Sequence, residues 1–521
     1  MLSGWRLTLS KFFLIPQRYI LGIMGFLAVV NAYSLRVSLN IAITEMVTPS
    51  TSSYFDPDSC PGHSGNSTHT SVTDTNLLYD WNESTKGLIL SSFFWGYVIT
   101  HIPGGVLAEK FGGKYSLGLG ILSTAIFTLL TPTIIIATDG NWKVLVALRV
   151  VMGLGEGTTY PALNALLAKW VPLQERAKIG TLVYAGSQIG TIVSNSISGV
   201  LINSTKSWAS VFYLFGGAGV LWFILWQLLC YSEPESHPFI SDEEKAYLKK
   251  ELENVSEESL DIPWKDILKS PPLWALVAAQ IGHDWGFFTM VTDLPTYMSD
   301  VLKFNIKENG VWTSLPYAVM WLVSMGSGWL CDWLVSSGYL GVTFARKFFT
   351  TIASVGPAIF IMIASYSGCD RYLTVAMFTV AMGLMGPFYC GMKVNALDLA
   401  PNYAGTLMAI VNGIGAITGI IAPYLAGALT EDHTLSQWRI VFWITFAVFI
   451  VTNIIYCLFG SGEEQKWNDP AKLKERDVES SKYGSVASSN GNSVKTKKNV
   501  SSSNNISTVV KDEPANENSN L

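Results

Sequence analysis

The sequence predicts an all-α polytopic membrane protein, with twelve transmembrane helices in two six-helix halves. Three observations carry this. Of 521 residues, 49% are hydrophobic and only 14% charged, where a soluble chain carries about 25% charged residues; the mean hydropathy is +0.32. Apolar runs long enough to cross a bilayer recur from Tyr19 to Phe459. They fall into two groups of six around one long charged stretch, 231–270. Forty-five glycines and 18 tryptophans suit closely packed helices with aromatic belts at the interfaces. The net charge of −5 argues against a nucleic-acid partner.

Residues 1–18 form a short basic N-terminus with Arg6, Lys11 and Arg18. Segment one follows at 19–43; it is too long for a signal-peptide core and contains Arg36. The loop 44–84 holds no Lys or Arg and two glycosylation sequons, Asn66-Ser-Thr and Asn82-Glu-Ser. Segments two to six are expected at 85–107, 115–137, 144–167, 179–202 and 211–230, completing a first half over 19–230. In the central loop, 231–270, Ser241-Asp-Glu-Glu244 reads as a capping box opening a surface helix. Segments seven to twelve are expected at 273–294, 310–330, 348–366, 373–397, 404–429 and 440–459, within a second half over 271–460. The tail, 461–521, is rich in Ser, Asn, Lys and Glu and is expected to be disordered.

Charge assigns the orientation. Lys and Arg cluster at the N-terminus, after segments two, four and eight, in the central loop and in the tail. The positive-inside rule then places both termini in the cytosol. The same assignment puts the sequons of 44–84 outside or in a lumen, where glycosylation occurs. The six cysteines have no metal-ligand spacing. Cys230, Cys331, Cys390 and Cys457 are expected to pack as small hydrophobes, while Cys60 and Cys369 fall in non-cytosolic loops where a disulfide is one option.

Segment two ends in Gly105-Val-Leu-Ala-Glu109-Lys110-Phe-Gly-Gly-Lys114. An acid and bases at a helix end can pair with a neighbouring helix and its dipole and so latch one conformation. The ten residues resemble the signature of the major facilitator superfamily, with Glu109 for Asp and Gly113 for Arg. A weaker copy stands at the matching place in the second half, Gly328-Trp-Leu-Cys-Asp332, with Arg346 and Lys347 beyond it. An ordinary polar loop is the alternative.

Ionisable residues inside apolar segments are costly and point to a pathway. Arg36 in segment one is flanked by Ser34, Ser38 and Asn40 and suits a polar cavity; snorkelling to an interface is its alternative. Arg149 and Glu156 in segment four are two turns apart on one face, amid glycines and threonines. Arg149 can also snorkel. Glu156 suits a proton carrier, or a structural pair with Arg149 or Arg36. Segment seven carries His283, Asp284 and Asp293, with Asp284 placed to fix the His283 tautomer. Segment ten carries Lys393. Asp332 and Asp398 lie at segment ends, and His101 is either a packed polar group or a ligand. Arg36, Arg149, His283 and Lys393 favour an anionic solute, and Glu156 and Asp284 a coupling H⁺ or Na⁺. The sequence holds neither a P-loop nor a nucleophile–base arrangement, so neither ATP drive nor an enzyme is expected.

Ser92-Phe-Phe-Trp-Gly-Tyr97, Ile102-Pro-Gly-Gly105, Gly153-Leu-Gly-Glu-Gly-Thr-Thr-Tyr-Pro161, Trp170-Val-Pro-Leu-Gln-Glu-Arg176 and Asn395-Ala-Leu-Asp-Leu-Ala-Pro401 resemble the anion–cation symporter branch of the major facilitators. That branch includes sialin, the vesicular glutamate transporters and the type I sodium–phosphate cotransporters. The resemblance spans 19–459 and is greatest to sialin-like proteins and to invertebrate proteins named as inorganic phosphate cotransporters. It implies a major facilitator fold, anion-binding roles for Arg36 and Arg149, and a coupling role for Glu156. Met152 and Asn164 stand where sialin-like proteins often carry glutamate and histidine, and Lys393 is unusual in the better-known members. The substrate therefore does not transfer. The expectation is a monomeric secondary transporter without cofactor, in the plasma membrane or a lysosomal or vesicular membrane, moving a small organic anion or phosphate with H⁺ or Na⁺. A potential-driven uniporter and a non-transporting sensor or scaffold are the rivals.

Overall fold

The computed structural model describes residues 15–48, 78–253, 262–368, 370–432 and 434–468; at residues 102, 105–111, 168, 173–174, 176–178, 181, 252–253 and 405 only the backbone is described. Asn66, Cys60 and Cys369 lie outside the described residues, as do most of the N-terminus, residues 254–261 of the central loop and the tail beyond 468.

Twelve transmembrane segments form, most of them longer than their apolar runs because polar ends continue each helix past the apolar core. Segment one is Gln17–Ala42, two Glu83–Phe111, three Gly113–Ala137, five Leu173–Thr205 and six Ala209–Leu229. Segment seven is Pro271–Asp300, eight Ile306–Ser336, nine Val342–Tyr366 and twelve Leu435–Phe459. Segments two, four, eight, ten and twelve all enter at the end of the bundle away from residues 17 and 459, here called the far end. Each begins at a side-chain cap: Asn82, Asn141, Asn305, Asp370 and Thr434 accept from backbone N–H groups two or three residues on. Segments one and five follow Pro16 and Pro172 instead, where a missing N–H costs the helix nothing.

Three segments predicted as continuous are broken. Segment four is two helices, Trp142–Glu156 and Thr159–Trp170. Segment eleven is Ala404–Gly415 and Thr418–Leu429. Segment ten passes from Arg371–Met385 through a 3₁₀ turn and a π turn, Tyr389–Lys393, into Val394–Leu399. Apolar periodicity does not register such breaks, because side chains on both sides still face the same neighbours. Among the described residues, eight helices are long and apolar enough to cross a membrane by length and composition. Segments two, four, five and seven fall short of that measure. Segments four and seven do so because they carry buried charges, segment five because Ser, Thr, Asn and Gly fill it.

The halves meet tightly at the far end. A Cβ on Gly87 of segment two would sit 2.6 Å from the Pro423 carbonyl of segment eleven, and one on Gly199 of segment five 2.7 Å from the Ile306 carbonyl of segment eight. Glycine at both places lets the helix backbones touch. Bonds across the halves gather at that end and at mid-depth. Ser84 donates to Glu431 at 2.7 Å, Ser196 to Ser314 at 2.7 Å, Asn40 to the Val291 carbonyl at 2.7 Å, and Gln188 to Tyr389 at 2.8 Å. Among the described residues at the opposite end, the ion pairs stay on one side: Arg18 with Glu175 and Glu244, Lys169 with Glu233, Arg346 with Asp398.

The central-loop helix, Asp242–Glu253, forms as read, and Ser241 Oγ accepts from Glu244 N at 3.1 Å. The reciprocal arm of the capping box does not. Glu244 instead accepts from Gln17 N at 2.8 Å and Arg18 N at 3.2 Å, because segment one offers unpaired N–H groups and a guanidinium where Ser241 offers one N–H. Cys230, Cys331 and Cys390 are buried free thiols, and Cys457 is half-buried.

Candidate functional site

Glu156 is the last residue of the first helix of segment four, and the break at Gly157 presents it to segments one and two. It is 1% exposed. Arg36 Nε donates to its Oε1 at 3.0 Å, and Arg36 Nη2 pairs with the same oxygen. Glu156 Oε2 has no partner. The Arg36 guanidinium lies in an aromatic cage, 4.6 Å from the Tyr33 ring centroid, 4.9 Å from Phe93 and 5.1 Å from Tyr97, which holds a buried cation through ring quadrupoles. Arg149 is only 3% exposed, so it does not snorkel. Its Nη2 donates to the Arg36 carbonyl at 3.3 Å, it lies 5.0 Å from Phe93, and its Nε has no partner. Glu156 is thus bonded to Arg36 and interacts with Arg149 electrostatically. A buried cation without a matching anion is costly, and here two buried guanidinium groups stand beside a single carboxylate.

The second half places its own charges at equivalent segments. Lys393 ends the π turn of segment ten and donates to Asn412 Oδ1 of segment eleven at 2.6 Å. Asp284 of segment seven interacts electrostatically with Lys393. Segment one corresponds to seven and four to ten, so the base and acid have exchanged helices between halves. Asp284 does not orient His283. Its Oδ2 accepts from Gln280 Nε2 at 2.7 Å, one helical turn away on its own face, whereas adjacent residues on a helix point apart. His283 stacks on Phe388 at 3.7 Å, and its Nδ1 has no partner. His101 packs 5.3 Å from Tyr97 and interacts electrostatically with Arg36 and Lys393, so it borders the same centre.

The segment two–three motif is only partly visible, since Gly105, Glu109 and Lys110 are described by backbone alone. Gly112 turns the chain at φ 86°, a conformation that favours glycine. Lys114 Nζ donates to the Gln227 carbonyl at 3.0 Å, at the C-terminus of segment six, and lies 3.9 Å from the Tyr231 ring. These contacts stay within the first half. In the second-half copy, Arg346 pairs with Asp398 at 2.7 Å, while Asp332 is exposed. Asn82 is exposed and caps segment two through its side-chain oxygen.

Sequence reasoning missed Gln188, Tyr389, Gln280, Asn412 and the cage of Tyr33, Phe93 and Tyr97. Gln188, Gln280 and Asn412 were amides inside apolar segments, which is a usable signal. The aromatics carried none, because in sequence they look like any lipid-facing ring.

The chain resembles known transporters along most of its length. The family model described as Major Facilitator Superfamily matches residues 21–423 and 335–503. Human "Sialin" is 42% identical over 452 residues, covering 86% of this chain and 90% of that protein. A Drosophila ananassae protein named "Putative inorganic phosphate cotransporter" is 41% identical over 463 residues, covering 87% and 94%. The crystal structure of a bacterial homolog to the human lysosomal transporter Spinster, inward-facing and occupied, superposes with a TM-score of 0.63 at 12% identity, covering 85% of this chain and 97% of that one. These relatives are membrane transporters and not enzymes. The chain is a multi-pass membrane transporter of the secondary type, and it belongs to the Major Facilitator Superfamily.

Proposed function

We propose that this protein moves a small anion across the membrane together with a proton, by rocking the two halves about a central site. The carrying observation is the single carboxylate: Glu156 pairs with Arg36 while buried Arg149 has an unpartnered Nε. In this reading Glu156 and the solute anion compete for Arg36. A proton on Glu156 frees Arg36, and the anion then binds between Arg36 and Arg149. Lys393 and His283 hold its other end from the second half, and Asp284 tunes Lys393. The names of the relatives support a sialic-acid-like organic anion or phosphate as the solute.

The proposed layout keeps 1–18 as a cytosolic N-terminus, 19–230 and 271–460 as the halves, 231–270 as a cytosolic loop and 461–521 as a cytosolic tail. The expected disorder does not hold at its start: Gly462 N donates to Thr343 Oγ1 at 2.9 Å, Asn468 Oδ1 accepts from Asn402 N at 3.0 Å and Trp467 is buried, so 461–468 is docked on the second half. Both termini face the cytosol, Asn66 and Asn82 carry glycans in the non-cytosolic loop 44–84, and Gly105, Glu109, Lys110 and Lys114 form the conformational latch. The working unit is a monomer, in the plasma membrane or a lysosomal or vesicular membrane.

Uptake by purified protein in liposomes tests this. Phosphate and sialic, glucuronic and glutamic acids are each offered under a separate pH gradient, Na⁺ gradient or membrane potential. Uptake driven by the pH gradient and lost in Arg36→Ala supports the reading. Uptake that needs Na⁺ makes Na⁺ the coupling ion, and uptake indifferent to both cations makes the protein a uniporter.

A further inference from the structure

Asp293 lies about two and a half turns beyond Asp284 on segment seven, and the scheme above does not use it. It is 5% exposed, its Oδ2 has no hydrogen-bond partner, and it makes no ion pair among the described residues. It lines a narrow cleft with Thr289 and Tyr297 of its own helix and Trp438 and Phe442 of segment twelve. The Tyr297 hydroxyl and the Trp438 Nε1 also lack partners. So does the hydroxyl of Tyr317 on segment eight, an electrostatic neighbour of Asp293. Three buried polar groups without partners around a carboxyl whose own Oδ2 is unpartnered are unusual, since buried polar groups are nearly always bonded.

The charged groups facing this place are few. From segment two, Glu83 interacts electrostatically with Asp293 across the halves. Glu83 pairs with Lys86, which reaches Asp300 at the end of segment seven at 3.9 Å. From segment twelve, Arg439 interacts with Tyr297. Segment one contributes the neutral Asn40, bonded to the Val291 carbonyl. Asp293 therefore sits just inside the Lys86 bridge that joins the halves at the far end.

An ionised carboxylate buried without a cation or a full set of hydrogen bonds is expensive, and such a group neutralises instead. Ionisation becomes favourable once water arrives, and the far-end contact keeps water out. We propose that Asp293 is a second proton-binding site, distinct from Glu156, which holds its proton while the halves are closed at the far end and releases it when they part. Proton occupancy then biases the carrier toward the closed far end, and proton loss biases it toward the open one. The inference deepens the reading of a proton-coupled carrier, but its test needs no substrate.

Spin labels at exposed Ser204→Cys and Lys307→Cys flank the contact between segments five and eight. They would be introduced into full-length protein lacking reactive native cysteines, reconstituted in liposomes. In the wild type, the long-distance population is expected to grow as pH rises. In Asp293→Asn, which matches the protonated carboxyl in shape, the short distance is expected at every pH. Asp293→Glu should keep a pH response and thereby shows that Asp293→Asn has not simply misfolded. A pH response retained in Asp293→Asn, or lost in Glu156→Gln or Asp300→Asn while Asp293→Asn keeps it, overturns the proposal. Because no solute is present, this result stands or falls apart from the anion-uptake assays.

Discussion

Replacing Glu156 by glutamine is expected to tighten anion binding at neutral pH and remove its pH dependence. In the structure, Arg36 Nε donates to Glu156 Oε1 at 3.0 Å and Nη2 pairs with the same atom, so the carboxylate restrains the guanidinium twice. Glutamine keeps the shape and one acceptor oxygen but loses the charge. A hydrogen bond to a charged group contributes about 1.5–3 kcal/mol and a neutral one about 0.5–1.5, so each contact weakens by about 1–2 kcal/mol. If one contact must break for the anion to enter, that difference passes to the anion as roughly fivefold to thirtyfold tighter binding. The fully buried site argues for the upper part of that range, because little water screens the pair. The assay is equilibrium binding of the transported anion to purified protein across pH, beside counterflow in liposomes. Counterflow should persist in the variant, while accumulation against a gradient driven by pH should fail. Unchanged affinity with an unchanged pH slope would refute the competition between Glu156 and the anion.

Arg149→Lys keeps the charge but cannot place two donors in one plane; it should weaken anion binding by about tenfold or more, whereas equal affinity would remove Arg149 from the site. Gly427→Val puts a side chain against the Glu83 carbonyl, 2.5 Å from where its Cβ would stand. Overpacking of this kind costs about 1–3 kcal/mol, so distance measurements at the far end should show it opened, and an unaltered distribution would argue against that crossing as a closure. His237, in the central loop, accepts from Phe239 N at 3.1 Å through Nδ1 and lies 3.1 Å from the Leu229 carbonyl through Nε2. Burial holds its pKa below the ordinary value, so the neutral ring is the bound form. Its contribution is full above about pH 6.5 and is lost as pH falls below that. Thermal melting should drop on acidification in the wild type and less in His237→Asn; identical slopes would assign the effect to other groups.

Much of the architecture was legible before any coordinates. Long apolar runs leave a chain few options in a bilayer, where every backbone N–H and C=O must be bonded within its own segment. The two groups of six and the cost of Arg36, Arg149, Glu156 and Lys393 in apolar surroundings are local properties of the sequence. They fixed the class, the family resemblance and the short set of residues worth attention.

Pairing was not legible, because it depends on rotations and crossings that no single segment specifies. Arg36 and Glu156 are 120 residues apart, and whether Glu156 would meet Arg36, Arg149 or neither was decided by the break at Gly157 and the approach of segment one. Asp284 was read beside His283 because they are adjacent, yet the helix points them apart and gives Asp284 to Gln280. The same holds for Glu244, whose sequence context promised a local cap and whose carboxylate serves segment one instead. The sequence by itself determined which groups the membrane would force inward. Only the packing of the twelve segments decided which of those groups share a charge, and which, like Asp293, are left without an ion pair among the described residues.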